Sequence, residues 1–452
     1  MRRNVGVVSR SCATQRMATL LATALFVPFV GLAGCGRCVG EAGGRPEGII
    51  LIVVDTLRRD FVSIYGSAIP TPNIDRLARN GVVFQNAVAN FHSTTMSMAA
   101  IFSGRTPSIE SGDRTKTLEW NSFASCGMSR FSTPGSDDAC VPRRMDTLAE
   151  ALRGAGYWTM GVTSNKLLFR PYGYDQGFDD WVEIAADVPD GDIARAAKLR
   201  TAVAVNKGVE EVLARRPRDR FFLYIHYVDV HDWILRGRTY EEGVTAFDPH
   251  LGEMLDSLER QGLLENALVV FTADHGEMLV EHHLSFETKR HYGNPSLEPL
   301  LRVPLIVSPP GHENPLAMVR SQDVKNLILR RVGLEPDPPA DLDREEILVT
   351  EQLYQTYRKG QWKSIWDRSK DEPFLFDLAT DPDEWHDVAS AHPEIVAAHL
   401  RRLEDLTVEL SAPESHRREL DEEDLGRLRA LGYLDEGESG AGGAGAVQRP
   451  VP

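Results

Sequence analysis

Gly48-Ile49-Ile50-Leu51-Ile52-Val53-Val54, followed at once by Asp55, is the stretch that decides how this chain folds. An unbroken apolar run of this length does not alternate as a strand with one wet face does. It predicts a strand buried on both faces, as in a parallel sheet covered by helices. Ala267-Leu268-Val269-Val270-Phe271 reads the same way, and so does Phe221 to Ile225. Between these runs the pattern changes period. Asp75 to Asn80 predicts a short helix that stops before Gly81. Thr147 to Gly154 predicts a helix, and Trp158 to Thr163 a strand after it. Asp248 is placed to cap a helix that carries Leu251, Met254, Leu255 and Leu258 on one face and ends at Gly262. Strands alternating with helices predict an α/β fold with a large, mostly parallel sheet sandwiched by helices.

The flanks of this region read differently. Arg2, Arg3, Arg10 and Arg16 precede an 18-residue apolar run, Met17 to Gly34, which ends in Leu32-Ala33-Gly34-Cys35. A basic start, a short apolar run and small residues before a cut site predict an export signal over residues 1–34. The small residues leading into Cys35 resemble the bacterial lipobox, in which the cysteine is acylated. That implies a lipid anchor at Cys35 on a membrane of the bacterial cell envelope, with residues 35–47 as a Gly-rich tether. Export puts Cys126 and Cys140 in an oxidising compartment, where a disulfide closing the Gly- and Ser-rich loop between them is expected. Three prolines at 335–340 mark a boundary, so residues 48–335 form one domain. A smaller C-terminal α+β domain follows at 336–435, with strands at Ile347 to Thr350, Trp362 to Ile365 and Phe374 to Phe376 and a helix from Pro393 to Leu410. The Gly/Ala-rich residues 436–452 read as a disordered tail.

The chain has 452 residues, 42% hydrophobic and 26% charged, which provides for a sizeable core and excludes disorder throughout. Its net charge is −16, and the first 34 residues hold four Arg and no acid, so the remainder carries −20. No nucleic acid is expected as a partner, because its footprint is basic. Anionic small substrates stay open, since a local cation can invert the field of an acidic protein. Composition says nothing of oligomeric state.

Open α/β sheets bind ligands beyond the carboxyl ends of their strands. Asp55 follows the first run. Thr272-Ala273-Asp274-His275-Gly276-Glu277 follows Phe271, and His226, Asp229 and His231 follow Ile225. Carboxylates and imidazoles delivered to one rim suit a divalent cation. In Phe91-His92-Ser93-Thr94-Thr95-Met96-Ser97-Met98-Ala99-Ala100-Ile101-Phe102-Ser103-Gly104-Arg105, hydroxyl residues sit just before a helix-like segment that Gly104 can stop. A hydroxyl at a helix N-terminus faces backbone N–H groups that favour an anionic ester. Read alone, it is better explained as an N-cap. No G-x-S-x-G elbow follows a strand, which argues against a serine hydrolase.

Several short stretches, in order, resemble the sulfatase family of the alkaline phosphatase superfamily. They are Val53-Val54-Asp55-Thr56-Leu57-Arg58-Arg59-Asp60, Thr71-Pro72-Asn73-Ile74-Asp75-Arg76-Leu77, Asp146-Thr147-Leu148-Ala149-Glu150-Ala151-Leu152 and Gly177-Phe178-Asp179. After them come His226-Tyr227-Val228-Asp229-Val230-His231, Asp274-His275-Gly276-Glu277, Leu301-Arg302-Val303-Pro304-Leu305, Leu375-Phe376-Asp377-Leu378 and Leu428-Arg429-Ala430-Leu431-Gly432-Tyr433. The resemblance runs over about residues 47–435. It implies an alkaline phosphatase-like fold and one divalent ion (Ca, Mn, Zn or Mg) held by Asp55, Thr94, Asp274 and His275. A second ion is left open. It implies His231 as the group that protonates the leaving oxygen. It places a basic residue at His291, with Lys289 second, to stabilise charge on the non-bridging oxygens.

Two departures matter. The family opens on two adjacent aspartates, and the second position holds Thr56, with Asp60 the nearest substitute. The formylglycine pattern of Cys or Ser, then x-Pro-x-Arg, is absent: counting back from Gly104-Arg105 puts Thr94, Met96 and Met98 at those three places. Thr94 resembles instead the threonine nucleophile of phosphodiesterases and phosphoryl-group transferases of the same superfamily. The reading is therefore a metal-dependent ester hydrolase that cleaves sulfate or phosphate/phosphonate esters through a Thr nucleophile. Two alternatives are a phosphoryl-group transferase acting on envelope lipid or glycan, and a binding lipoprotein that keeps the fold without turnover. Retention of Asp55, Thr94, Asp274, His275 and His231 together argues against the second.

Overall fold

In the computed structural model of the chain, β1 (Gly48–Val54) is buried along its whole length and is the central strand of a seven-stranded sheet. The structure describes residues 45–409 apart from 108–139, 142, 144, 189–191, 217–218, 280–294, 338–342 and 351–353. The signal, Cys35, Cys126, Lys289, His291, the Leu428-to-Tyr433 stretch and the tail therefore lie outside the described residues.

After β1 come α1 (Pro72–Arg79), β2 (Val82–Val83), β3 (Asn86–Val88), α2 (Thr94–Ser103) and α3 (Leu148–Gly154). Then follow β4 (Trp158–Thr163), β5 (Asp180–Glu183), α4 (Ile193–Leu199), α5 (Ala202–Arg215), β6 (Phe221–Tyr227), α6 (Tyr240–Arg260) and β7 (Ala267–Ala273). The remainder is α7 (Glu298–Leu301), β8 (Leu305–Ser308), β9 (Met318–Arg320), α8 (Asp323–Arg331), β10 (Glu346–Thr350), β11 (Tyr354–Lys359), β12 (Trp362–Asp367), β13 (Glu372–Asp377) and α9 (Pro393–Glu409).

The large sheet runs β2-β8-β7-β1-β6-β4-β5. β7, β1, β6, β4 and β5 are parallel to one another, β8 runs antiparallel to β7, and β2 runs antiparallel to β8. Helices cover both faces of such a sheet, which is why β1, β6 and β7 are buried throughout and carry no alternation. The expected α/β sandwich is observed. The predicted strand at 158–163 matches β4, and the helix after Thr147 is α3, opened by a capping box between Thr147 and Glu150.

One expectation is overturned. Asp248 does not start a helix; it lies inside α6, which begins eight residues earlier behind its own capping box of Thr239 and Glu242. The Asp248-Pro249 pair imitates a helix start, because Pro is tolerated at the first helical position. The buried Asp248 carboxylate caps a different helix. It accepts from the Asn73 and Ile74 backbone N–H groups (3.0 Å each) and from Asn73 Nδ2 (2.8 Å), whereas α1's own N-cap, Thr71, makes no capping bond. Asp248→Ala leaves two buried first-turn donors unpaired, and is expected to lower the unfolding free energy by about 2 kcal/mol. Urea unfolding of the two forms checks this.

A four-stranded antiparallel sheet, β10-β11-β12-β13, forms the C-terminal part where strands were expected. One apolar cluster joins its Ile365, Phe374, Phe376 and Leu378 to Met278, Leu297 and Leu300. Leu403 and Leu406 of α9 pack on Leu348 and Tyr357 from the same sheet. Beneath the first cluster lies a buried charge network. Lys363 bridges Glu298 (3.0 Å) and Glu384 (2.7 Å), and Glu298 also accepts from Arg302 (2.7 Å). Cys140 is buried and disulfide-bonded. No helix among the described residues is long and apolar enough to cross a membrane.

Candidate active site

Parallel register builds the site. Val54 on β1 pairs with Ala273 on β7, so the next residue of each strand, Asp55 and Asp274, leaves the sheet side by side. Val53 also pairs with His226 on β6, the neighbour on the other side. Asp55, Asp274 and His275 are fully buried, and one ligand atom from each lies within 4.8 Å of the others.

Each of these side chains is held by its surroundings. Asn165, just beyond β4, donates to Asp55 Oδ2 at 2.7 Å, and its own Oδ1 accepts from Leu167 N. Asp274 Oδ1 accepts from Thr56 N (3.1 Å) and His275 N (2.8 Å). His275 Nδ1 bonds the Gly276 carbonyl at 2.7 Å, so that nitrogen carries the proton and Nε2 presents its lone pair to the cluster. Nε2 stands 3.6 Å from Asp274 Oδ2 and 3.4 Å from Thr94 Oγ1. Gly276 is required at its place: a Cβ there would meet the Pro299 carbonyl oxygen at 1.9 Å, and its N–H donates to Leu300 O. α7 thus buttresses the turn that aims His275.

Thr94 is the first residue of α2, a helix buried along all ten residues and closed by Gly104 in the left-handed conformation. The hydroxyl therefore sits at the positive end of a rigid helix, as its sequence position suggested. Thr56, by contrast, adds no ligand. It has φ of +60°, unusual for a β-branched residue. Its hydroxyl turns back to the Asp55 carbonyl (2.7 Å) and its own carbonyl accepts from Tyr240 OH (2.5 Å). Asp60 is no substitute, because it is ion-paired with Arg58 at 2.7 Å and more than half exposed.

Charge in the cluster is unbalanced. Burial and the adjacent Asp274 carboxylate push Asp55 well above the usual aspartate value, against the hydrogen bond from Asn165. Burial also opposes ionisation of Asp274, but His275, His226 and the two backbone N–H groups hold it below that value. Asp55 Oδ1 and Asp274 Oδ2 have no hydrogen-bond partner. Buried carboxylate oxygens left this way are costly, and a divalent cation is the group that satisfies them. The residues present fit one.

His231 lies beyond β6 and is buried. Its Nδ1 bonds Asp232 at 3.1 Å, and Asp232 is in turn held by Arg200 through two 2.7 Å bonds. Asp229 does not orient His231; it pairs with Arg236 at 2.7 Å. The charges of Asp232 and Arg200 also act on Asp55, raising and lowering its pKa as smaller effects than burial and Asp274. Sequence reading missed Asp232, Arg200 and the orienting role of Asn165. It noted His226 on the rim without assigning it a role. Arg200 is remote in sequence from its partner, and no local pattern announces such a pair.

A family model described as Sulfatase matches residues 48–329. The chain is 22% identical to an N-acetylgalactosamine-6-O-sulfatase of Bacteroides thetaiotaomicron, over 83% of this chain and 96% of that one. It is 24% identical to the human N-acetylgalactosamine-6-sulfatase over 54% of this chain, and spans about half (52%) of that protein. Among solved structures, the phosphonate monoester hydrolase of Agrobacterium radiobacter shares the fold with a TM-score of 0.57 and 17% identity, over 83% of this chain and 100% of that one. A second, solved in complex with its substrate D-glucosamine-2-N,6-O-disulfate, has a TM-score of 0.56 and 17% identity, over 81% of this chain and 98% of that one.

Proposed function

The chain belongs to the sulfatase family, and we propose that it hydrolyses sulfate esters of saccharides with Thr94 as nucleophile and a divalent cation held by Asp55, Asp274 and His275. The observation that carries this reading is the convergence of three buried ligands and the Thr94 hydroxyl at one rim of the sheet. The saccharide follows from the 6-O-sulfatase that the chain matches over nearly its full length. The cation supplies positive charge that lowers the hydroxyl pKa and offsets the charge of the ester.

Thr94 Oγ attacks sulfur, a sulfur–oxygen bond forms to Thr94, and the bond to the leaving alcohol breaks. Thr94 releases its proton to solvent while His231 donates one to the leaving oxygen; neutral His231 then takes a proton from the water that attacks next, and the Thr94 oxygen regains one from solvent, so the cycle balances. Asp232, clamped by Arg200, fixes the ring of His231 for that donation. Water then attacks sulfur, sulfate departs, and the Thr94 hydroxyl is restored. His291 or Lys289 would stabilise charge on the non-bridging oxygens. The protein is exported and tethered at Cys35 in this reading.

His231→Gln is expected to lower kcat about 10²–10⁴-fold on a saccharide sulfate, whose alkoxide needs a proton. It should cost far less on 4-nitrophenyl sulfate, whose phenolate leaves unaided. Equal losses on both substrates would remove His231 from the proton-donor role.

Threonine in place of a formylglycine precursor favours a second reading, phosphate or phosphonate esters cleaved at the same site. Purified residues 36–452, assayed with Mn, Zn, Ca and Mg on aryl sulfate, saccharide 6-sulfate, phosphodiester and phosphonate monoester, separate the two. Turnover confined to the phosphorus substrates overturns the sulfate assignment. Transfer to an added alcohol would mark a transferase. No turnover of any substrate above Thr94→Ala would overturn the enzyme reading.

A further inference from the structure

We infer that His226 is a fourth protein ligand from the sheet rim, so that the cation site is built of two carboxylates and two imidazoles. This rests on the metal-dependent reading above and adds a residue to it.

The first observation is burial without partners. His226 is fully buried on β6, and neither ring nitrogen has a hydrogen-bond partner. An imidazole carries a donor and an acceptor, and leaving both unmet away from water is costly. A histidine that served only packing would be expected to find a carbonyl or hydroxyl for at least one nitrogen. The second observation is position. His226 Nε2 lies 4.0 Å from Asp55 Oδ2 and 4.0 Å from Asp274 Oδ2. Both separations are too long for hydrogen bonds, yet the nitrogen is equidistant from the two carboxylates. Ligand atoms about 2.1 Å from one ion can lie up to about 4.2 Å apart, so an ion between them would bring this nitrogen and the carboxylates together without a hydrogen bond. The third observation is that Asp55 Oδ1 and Asp274 Oδ2 lack partners as well. Three buried side chains from three adjacent strands thus leave unmet atoms in one region, and one cation would satisfy both carboxylate oxygens and the Nε2 of His226.

Thr56 and Asp60 are both engaged elsewhere, so no further carboxylate from the Asp55 loop takes this place.

The donor set also narrows the metal. Calcium and magnesium prefer oxygen-only surroundings, whereas two imidazoles beside two carboxylates suit zinc or manganese. The metal-free protein should therefore take up Zn²⁺ or Mn²⁺ more tightly than Ca²⁺.

The test compares metal-stripped wild type with His226→Gln and His226→Leu by equilibrium dialysis against Zn²⁺. X-ray absorption then counts imidazoles on the bound ion, and thermal melting of the metal-free forms checks folding. Two imidazoles are expected in the wild type and one in the variants, with affinity weakened at least about 100-fold. One imidazole in the wild type, or unchanged affinity in a folded variant, overturns the inference and leaves the proposed function standing. If the wild type takes up no divalent ion at all, the metal-dependent reading itself falls. The wild-type imidazole count decides the matter even if neither variant folds.

Discussion

Replacing Thr94 by Ala is expected to lower turnover about 10⁴–10⁶-fold, the loss seen when a nucleophile that acts with its partners as a unit is removed. Three facts give this residue its weight. It is fully buried at the first position of α2, so its hydroxyl does not wander. It faces His275 Nε2 at 3.4 Å, on the side where Asp55 and Asp274 meet. The rest of α2 packs into the core through Met96, Met98, Ile101 and Phe102. Thr94→Val keeps the shape and removes only the hydroxyl, so it should match Ala in activity while melting close to wild type. Thr94→Ser keeps the nucleophile and should retain measurable turnover. Activity within tenfold of wild type in Thr94→Val would exclude covalent catalysis through this residue.

The largest stability effect is expected at Lys363, far from that hydroxyl. Its ammonium is completely buried between Glu298 and Glu384. Lys363→Met removes the cation and leaves two buried carboxylates facing each other, at a cost of about 3–5 kcal/mol. The pH dependence follows from the two glutamates. Burial opposes ionisation of Glu298, but Lys363, Arg358 and Arg302 outweigh it and hold its carboxyl well below the usual value. A carboxyl lowered in the folded state stabilises above its unfolded pKa, and that stability is lost as pH falls through the folded value. Glu384 behaves oppositely, since burial raises it in spite of Lys363. Without Lys363 both carboxyls rise and take up protons more readily. The deficit of Lys363→Met should therefore be greatest near pH 7 and shrink towards pH 4, as read from urea unfolding at each pH. A deficit that grows on acidification would contradict this account. The network also reaches the active site: Glu298 opens α7, and Leu300 of α7 accepts from Gly276 N beside His275. Some loss of metal affinity in Lys363→Met is expected through that path.

Much of this was legible in the amino-acid sequence, for a physical reason. Strands buried on both faces must be continuously apolar, so β1, β6 and β7 stood out. Polar residues that end such strands must emerge on one rim, so Asp55, Asp274 and His275 came with them. Thr94 was singled out only by the family resemblance, counted back from Gly104-Arg105, because the hydroxyl cluster by itself reads better as an N-cap. What stayed hidden depends on contacts between distant segments. Asp248 looked like the cap of its own helix and caps α1 instead, because capping chemistry does not say which helix is nearby. Asp232 and Arg200 pair across 32 residues. The left-handed Thr56 could not be foreseen either, since three separate hydrogen bonds impose that conformation on a residue that disfavours it.

The central claim is that Thr94 forms a covalent ester during turnover. It is tested most directly by quenching the His231→Gln variant in acid within its first turnover of ³⁵S-labelled 4-nitrophenyl sulfate, whose leaving group needs no proton, then mapping the label by peptide mass spectrometry. The account predicts a sulfo group on Thr94, absent from Thr94→Val and lost again as sulfate is released. Turnover without label on any residue, or label on a residue other than Thr94, would contradict it.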